Sequence, residues 1–140
     1  MVNKEINIAA AIILNENGDV LLQKKDFNYF WFPGYWGFFG GKVESGELPK
    51  NALKRELLEE LKFNANDLKF FKKYDYVDSC SKGVRQGKMY IYVCKFKENI
   101  SSLSLNEGAG FAFFSKNENL PKPMINHNHK VLKEYLNKNS

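Results

Sequence analysis

Residues 41–63 read GKVESGELPKNALKRELLEELKF, and the organisation of the chain can be worked outward from this stretch. Pro49 suits the first position of a helix, where a missing N–H costs nothing, and helical periodicity follows it. At about 100° per residue, Glu56, Glu59 and Glu60 fall within roughly a 100° arc, while Leu53, Leu57, Leu58 and Leu61 fill the neighbouring sector. One stripe is expected to pack and the other to collect negative charge. Like charges three and four residues apart cost a helix roughly 0.2–0.5 kcal/mol per pair. A hard cation relieves that repulsion, and magnesium is commonly held by a few carboxylates together with substrate phosphates. On the helix alone the cluster is equally an ordinary charged surface, with Lys54, Arg55 and Lys62 as partners. Leu48 is a poor N-cap, so other groups must satisfy the helix start.

Upstream, Gly40-Gly41 follows the aromatic run Trp36-Gly37-Phe38-Phe39, and Gly46 stands between Ser45 and Glu47. A glycine-rich loop therefore leads into the helix; such loops approach phosphate oxygens closely, and equally serve as plain turns. Taken whole, the segment resembles the Nudix box: Gly, five residues, Glu, seven residues, then Arg-Glu-aliphatic-any-Glu-Glu-any-Gly-aliphatic. Gly41, Glu47, Arg55, Glu56, Leu57, Glu59, Glu60 and Phe63 match it in register. The resemblance implies hydrolysis of a nucleoside diphosphate linked to another moiety, with Mg2+ or Mn2+ as cofactor. It implies Glu56, Glu59 and Glu60 as metal ligands, joined by the carbonyl of Gly40 or Gly41, with Glu47 and Arg55 paired to fix the loop against the helix. Lys62 stands where the pattern has glycine. A left-handed residue there costs a non-glycine side chain about 1–2 kcal/mol, so the helix end is expected to shift, with Asn64 taking the left-handed turn.

Length and composition suit one small domain spanning 1–140. The 140 residues are 44% hydrophobic and 15% aromatic, enough for a sizeable core. No apolar run approaches the roughly 20 residues that span a bilayer, and residues 1–5 are no secretory signal, so no membrane partner and a cytoplasmic protein are expected. Cys80 and Cys94 lack metal-ligand spacing and are expected to be free buried thiols. The net charge of +5 is spread along the chain without a dense basic block, which favours a small nucleotide over a long nucleic acid. A homodimer is left open.

Ile6 to Leu14 and Val20 to Gln23 read as a hairpin around the turn-forming Asn15-Glu16-Asn17-Gly18-Asp19. Asp26 to Tyr35 is an aromatic loop. Leu68 to Val77 and Lys88 to Phe96 read as strands separated by the polar connection Ser79 to Gly83, and Gly110 to Ser115 as a further short strand. Val131, Leu132, Tyr135 and Leu136 recur at helical spacing, so a closing helix runs from about Asn126 or Asn128 to Leu136. Strands, a central helix and a closing helix predict the α/β class, as an α/β/α sandwich around a mixed sheet, the architecture the resemblance also implies.

Beyond the box, Lys24, Lys25 and Lys42 are candidates for phosphate oxygens, or else solvated surface lysines. Glu107 lies on a loop before the final strand, where several relatives carry a catalytic glutamate, and is one candidate general base. Glu56 is the other, since Ala112 stands near a position where the MutT-type pattern has an acid. Asn126, three residues after Pro123, resembles the asparagine that hydrogen-bonds an oxidised purine in MutT-type members; it is equally a helix N-cap. The expected substrate is a nucleoside triphosphate, oxidised or not, cleaved to monophosphate and pyrophosphate. Nucleotide sugars, dinucleotides or capped RNA are the alternatives within the class, and a non-catalytic nucleotide- or RNA-binding module is the alternative outside it.

Overall fold

The apolar run Ile8–Leu14 lacks the alternation of a strand with one wet face, so it must be covered on both sides. The structure, a computed structural model, describes residues 2–106, 108–116 and 120–139 and covers this strand in that way. Ala9, Ala11 and Ile13 of β2 (Ile8–Leu14) join one core cluster with Leu53, Leu57 and Leu61 of α1 (Pro49–Leu61). Ala10, Ile12 and Leu14 join a second cluster with Val131 and Leu132 of α2 (Asn126–Lys138). The molecule is an α/β/α sandwich.

The mixed sheet has the order β1-β7-β2-β3-β4, formed by β1 (Val2–Glu5), β7 (Gly83–Lys95), β2, β3 (Val20–Lys24) and β4 (Trp36–Gly37). Three further strands attach to it: β5 (Phe39–Lys42) on β2, β6 (Lys69–Cys80) on β7 and β8 (Gly110–Phe114) on β3. β7 runs parallel to both β1 and β2, and the other pairs are antiparallel. The expected hairpin is present, Leu14 facing Val20, and the Asn15 side chain accepts from the N–H groups of Asn17 and Asp19 to shape its turn.

The structure departs from the sequence pattern in four local features. No apolar alternation marks β1, which is held by backbone pairing with Gly83–Gln86. β6 and β7 run well beyond the strands expected, and the polar connection shrinks to Ser81 and Lys82, with Cys80 facing Gly83. Leu58, assigned to the packing stripe, is 53% exposed, because it lies about 100° round the helix from Leu57. Cys94 is buried, and burial pushes its thiol up to about 12, but Cys80 is only half-buried; both are free.

Helix ends also depart from expectation. α1 stops at Leu61, and Lys62 itself takes the left-handed conformation at φ 57°, so neither a shifted end nor Asn64 is needed. The Lys62 and Phe63 N–H groups donate to Leu58 and Leu57 carbonyls, closing the helix as a glycine would. Pro49 begins α1 and Leu48 makes no side-chain cap. At α2 the N-cap residue is Ile125, without a side-chain cap, so Asn126 is not the cap either. No helix among the described residues is long and apolar enough to cross a membrane.

Candidate active site

Arg55 organises the junction between the glycine loop and α1. Its Nε and Nη2 donate to the two Glu47 carboxylate oxygens, each at 2.9 Å, and Nη2 also donates to the Lys42 carbonyl at 3.1 Å. Its Nη1 lies 2.9 Å from Glu56 and 3.5 Å from Glu59. Glu47 accepts a further bond from the Glu44 N–H, tying the loop to itself. The Arg55 hydrogen bond, and then the Glu44 N–H, draw the Glu47 carboxyl down to about 2, and the Glu47 contact in turn raises Arg55 above its ordinary value. The Glu47–Arg55 pair that the resemblance implies is present as a two-pronged contact.

The three glutamates of α1 have different surroundings. Glu56 lies flat against the backbone of Gly41, where a Cβ would come within 2.6 Å of both carboxylate oxygens. Only glycine leaves room for that carboxylate. Glu59 is 59% exposed beside Arg55. Glu60 falls within the buried stripe of the helix and is 6% exposed. It faces a recess of about 340 Å³ bounded by Gln23, Lys25, Asp26, Gly40 and Asn106. Gly40 is needed for another reason: a Cβ there would collide with the Ala9 carbonyl and with Ala10 of the neighbouring strand. Among the described residues, no three His, Cys, Asp or Glu side chains are already gathered as a metal cage. The chemistry of the donors fits a hard divalent cation, with the Glu56 carboxylate against Gly41 and Glu60 in the recess with Gly40.

Gly40 and Gly41 also border a cavity of about 300 Å³. Its walls are apolar and aromatic, from Ile6, Ile8, Tyr29, Trp31, Phe38 and Met89, and its polar rim includes Lys25 and Lys42. Of the expected phosphate-binding lysines, Lys42 and Lys25 therefore border the cavity, whereas Lys24 Nζ lies over the Phe27 ring at 5.0 Å. Asn126 is exposed in a separate cleft with Tyr35, Lys122 and His129; the asparagine bordering the cavity is Asn128. Glu107 lies outside the described residues. Among the described residues nearby, the Asn106 N–H donates to the Glu60 carbonyl of α1 and the Ala109 N–H to the Lys24 carbonyl of β3. Ala112 pairs with Leu22 inside the sheet.

The family model for the NUDIX domain matches residues 4–135. The chain belongs to the Nudix family. Over 78 residues it is 35% identical to an 8-oxo-dGTP diphosphatase of Escherichia coli (strain K12), a match covering 52% of this chain and 56% of that protein. A match of 61 residues at 38% identity to an 8-oxo-dGTP diphosphatase of Proteus vulgaris covers 44% and 54%. The chain thus spans about half the length of the curated relatives it matches. Among solved structures, a MutT NUDIX hydrolase from Burkholderia pseudomallei superposes with TM-score 0.78 at 21% identity, covering 92% of this chain and 96% of that one. The solution structure of the Escherichia coli ORF135 protein gives 0.76 at 27% identity, covering 98% and 92%.

This Nudix domain also carries a polar cluster at and behind the cavity, Arg85, His127 and Asn128 lining it. Asp78, with its side chain 1% exposed, accepts from Arg85 Nε at 2.9 Å and contacts His127 Nε2 at 3.1 Å. Burial opposes the charge on Asp78, but the hydrogen bonds from His127 and Arg85 outweigh it and hold the carboxyl below its ordinary range. Tyr74 Oη lies 2.9 Å from His127 Nδ1, and Asn128 Oδ1 accepts from the Phe38 N–H at 3.1 Å. One signal was available. Asp78 and Arg85 are cross-strand partners in β6–β7, which a correctly placed two-residue turn would have set opposite one another.

Proposed function

We propose that this Nudix domain hydrolyses a purine nucleoside triphosphate, oxidised or not, to the monophosphate and pyrophosphate with Mg2+ or Mn2+. One observation carries the reading: the carboxylate face of α1 and the aromatic cavity meet at the shared backbone of Gly40 and Gly41. A base held in the cavity would direct its phosphates past Lys42 and Lys25 toward Glu56, Glu59 and Glu60. A bound divalent cation would supply charge neutralisation on the diphosphate and lower the pKa of an attacking water. Glu56, Glu59 and Glu60, with a Gly40 or Gly41 carbonyl, are the groups proposed to hold it. Arg55, through Glu47 and the Lys42 carbonyl, keeps the loop in register with the helix. Attack by water forms a new oxygen–phosphorus bond as the bridging bond breaks and pyrophosphate leaves. Glu107 and Glu56 are the proposed acceptors of the water proton.

A panel of nucleotides incubated with Mg2+ or Mn2+ tests this reading through the products. Monophosphate plus pyrophosphate is expected. A sugar phosphate without pyrophosphate would move the assignment to nucleotide sugars, and no cleavage of any member would overturn it. Glu59→Gln should lose turnover while melting as the native chain does. Glu107→Gln and Glu56→Gln, compared in the same assay, separate the two candidate bases.

A further inference from the structure

The cavity floor is unusual in what it has left to offer a ligand. Asn128 Oδ1 is taken by the Phe38 N–H, and the Ile6 carbonyl accepts from Tyr76 Oη at 2.6 Å. Asp78 only accepts, so His127 Nε2 carries the hydrogen between them, and Nδ1 is engaged with the Tyr74 hydroxyl. Each of these acceptors is already engaged. The Arg85 Nη donors are not. Arg85, whose side chain is 14% exposed at the cavity, uses Nε on Asp78, and its Nη groups make no hydrogen bond to another described residue. Asn128 Nδ2 is itself engaged, hydrogen-bonding the Tyr74 hydroxyl beside a long 3.4 Å contact to His127.

The guanidinium is also fixed and neutralised. It lies 4.9 Å from the Trp31 ring centroid and 5.9 Å from that of Tyr76, and the buried Asp78 carboxylate cancels its charge. A neutralised, rigid fork of donors suits a pair of neutral acceptors better than a phosphate. Gly37 is part of the same design, because a Cβ there would come within 2.7 Å of Asn128 Oδ1.

We propose that Arg85 determines base specificity in this cavity, its uncommitted Nη edge reading the paired O6 and N7 acceptors of an unoxidised guanine. Among the bases, guanine alone presents two adjacent acceptors on that edge, and a bidentate arginine is the geometry that matches them. Adenine places an amino donor beside N7. Oxidation at C8 puts a hydrogen on N7, so 8-oxoguanine would meet a donor with a donor. The inference deepens the purine triphosphate reading above and turns it toward dGTP or GTP and away from the 8-oxo form.

The test compares kcat/KM of the native chain for dGTP, 7-deaza-dGTP, 8-oxo-dGTP and dATP. Removing the N7 acceptor in 7-deaza-dGTP should cost roughly 5- to 100-fold, and the 8-oxo and adenine forms should lose as much or more. Arg85→Lys keeps a cation on Asp78 but loses the fork, so it should close the gap between dGTP and 7-deaza-dGTP while melting cooperatively. Cleavage of 8-oxo-dGTP as fast as dGTP, or a full gap retained in Arg85→Lys, overturns the proposal. If no triphosphate is cleaved, the hydrolase reading fails separately. Calorimetry with dGMP and 7-deaza-dGMP then decides the role of Arg85 on its own, with tighter dGMP binding expected, and equal or undetectable binding of the two overturning it.

Discussion

Gly41 and Lys62 bracket the box and make opposite demands on their side chains. The Gly41 contact is with the far end of a flexible side chain, so Gly41→Ala can be accommodated by moving the Glu56 carboxylate. The expected result is a protein that melts close to the native temperature but has lost most of its metal-dependent turnover; unchanged activity would separate Glu56 from the chemistry. Lys62 holds the left-handed conformation at the end of α1, where a Cβ is penalised. Lys62→Gly should therefore stabilise the fold by about 1 kcal/mol, read as a higher denaturant midpoint with no change in slope. The glycine-to-lysine departure was legible in the sequence as a strain, but its resolution was not. A sequence shows the cost of a left-handed lysine and does not show that tertiary packing of Leu57 and Leu61 makes the chain bear it. Residues of the box were legible because their spacing is local. Asp78, Arg85 and Asn128 were not, because each gains its meaning from a partner on another element.

Two element junctions set the site. The first, between the glycine loop and α1, depends on the Glu47–Arg55 contact. With its pKa lowered to about 2 from an ordinary value near 4.5, Glu47 contributes stability in full above the unfolded value, and that contribution disappears as the pH falls through 2. The melting-temperature gap between the native chain and Glu47→Gln should be constant above about pH 5 and close as the pH approaches 2. A gap that does not vary with pH would assign the pair no linked stability. The second junction is the β6–β7 hairpin. Its apolar centre was visible from sequence, but its outer half, from Tyr76 to Gln86, pairs through backbone bonds under side chains of mixed polarity. Hydrogen-bond ladders leave little trace in hydrophobic pattern, so the polar residues Ser79 to Gly83 suggest a wider turn than Ser81 and Lys82 make.

At the scale of the whole molecule, β2 is the shared wall of both cores, which is why the order of strands and helices could be anticipated from an unbroken apolar run. Ile12 is fully buried on the α2 face, and Ile12→Ala should cost about 2–5 kcal/mol in denaturant unfolding. The carboxylate face opposite gives a second global readout. On the proposed metal site, Mg2+ should raise the melting temperature in proportion to the logarithm of its concentration, and Glu60→Gln should remove most of that rise. A rise of equal size in the variant would take Glu60 out of the metal site.

β2 also fixes a schedule for making the protein. Its parallel partner on β7 lies roughly 80 residues further along the chain, and such distant pairings must overcome loop-closure entropy before they gain anything. At ribosomal speeds of about 5–20 residues per second, that interval is about 4–16 seconds. Over that interval a strand of alanine, isoleucine and leucine has emerged with one of its flanking edges empty. The nascent chain is then a natural client for a chaperone, and truncation before β7 should yield an aggregating fragment even though the whole glutamate-bearing box has already been synthesised.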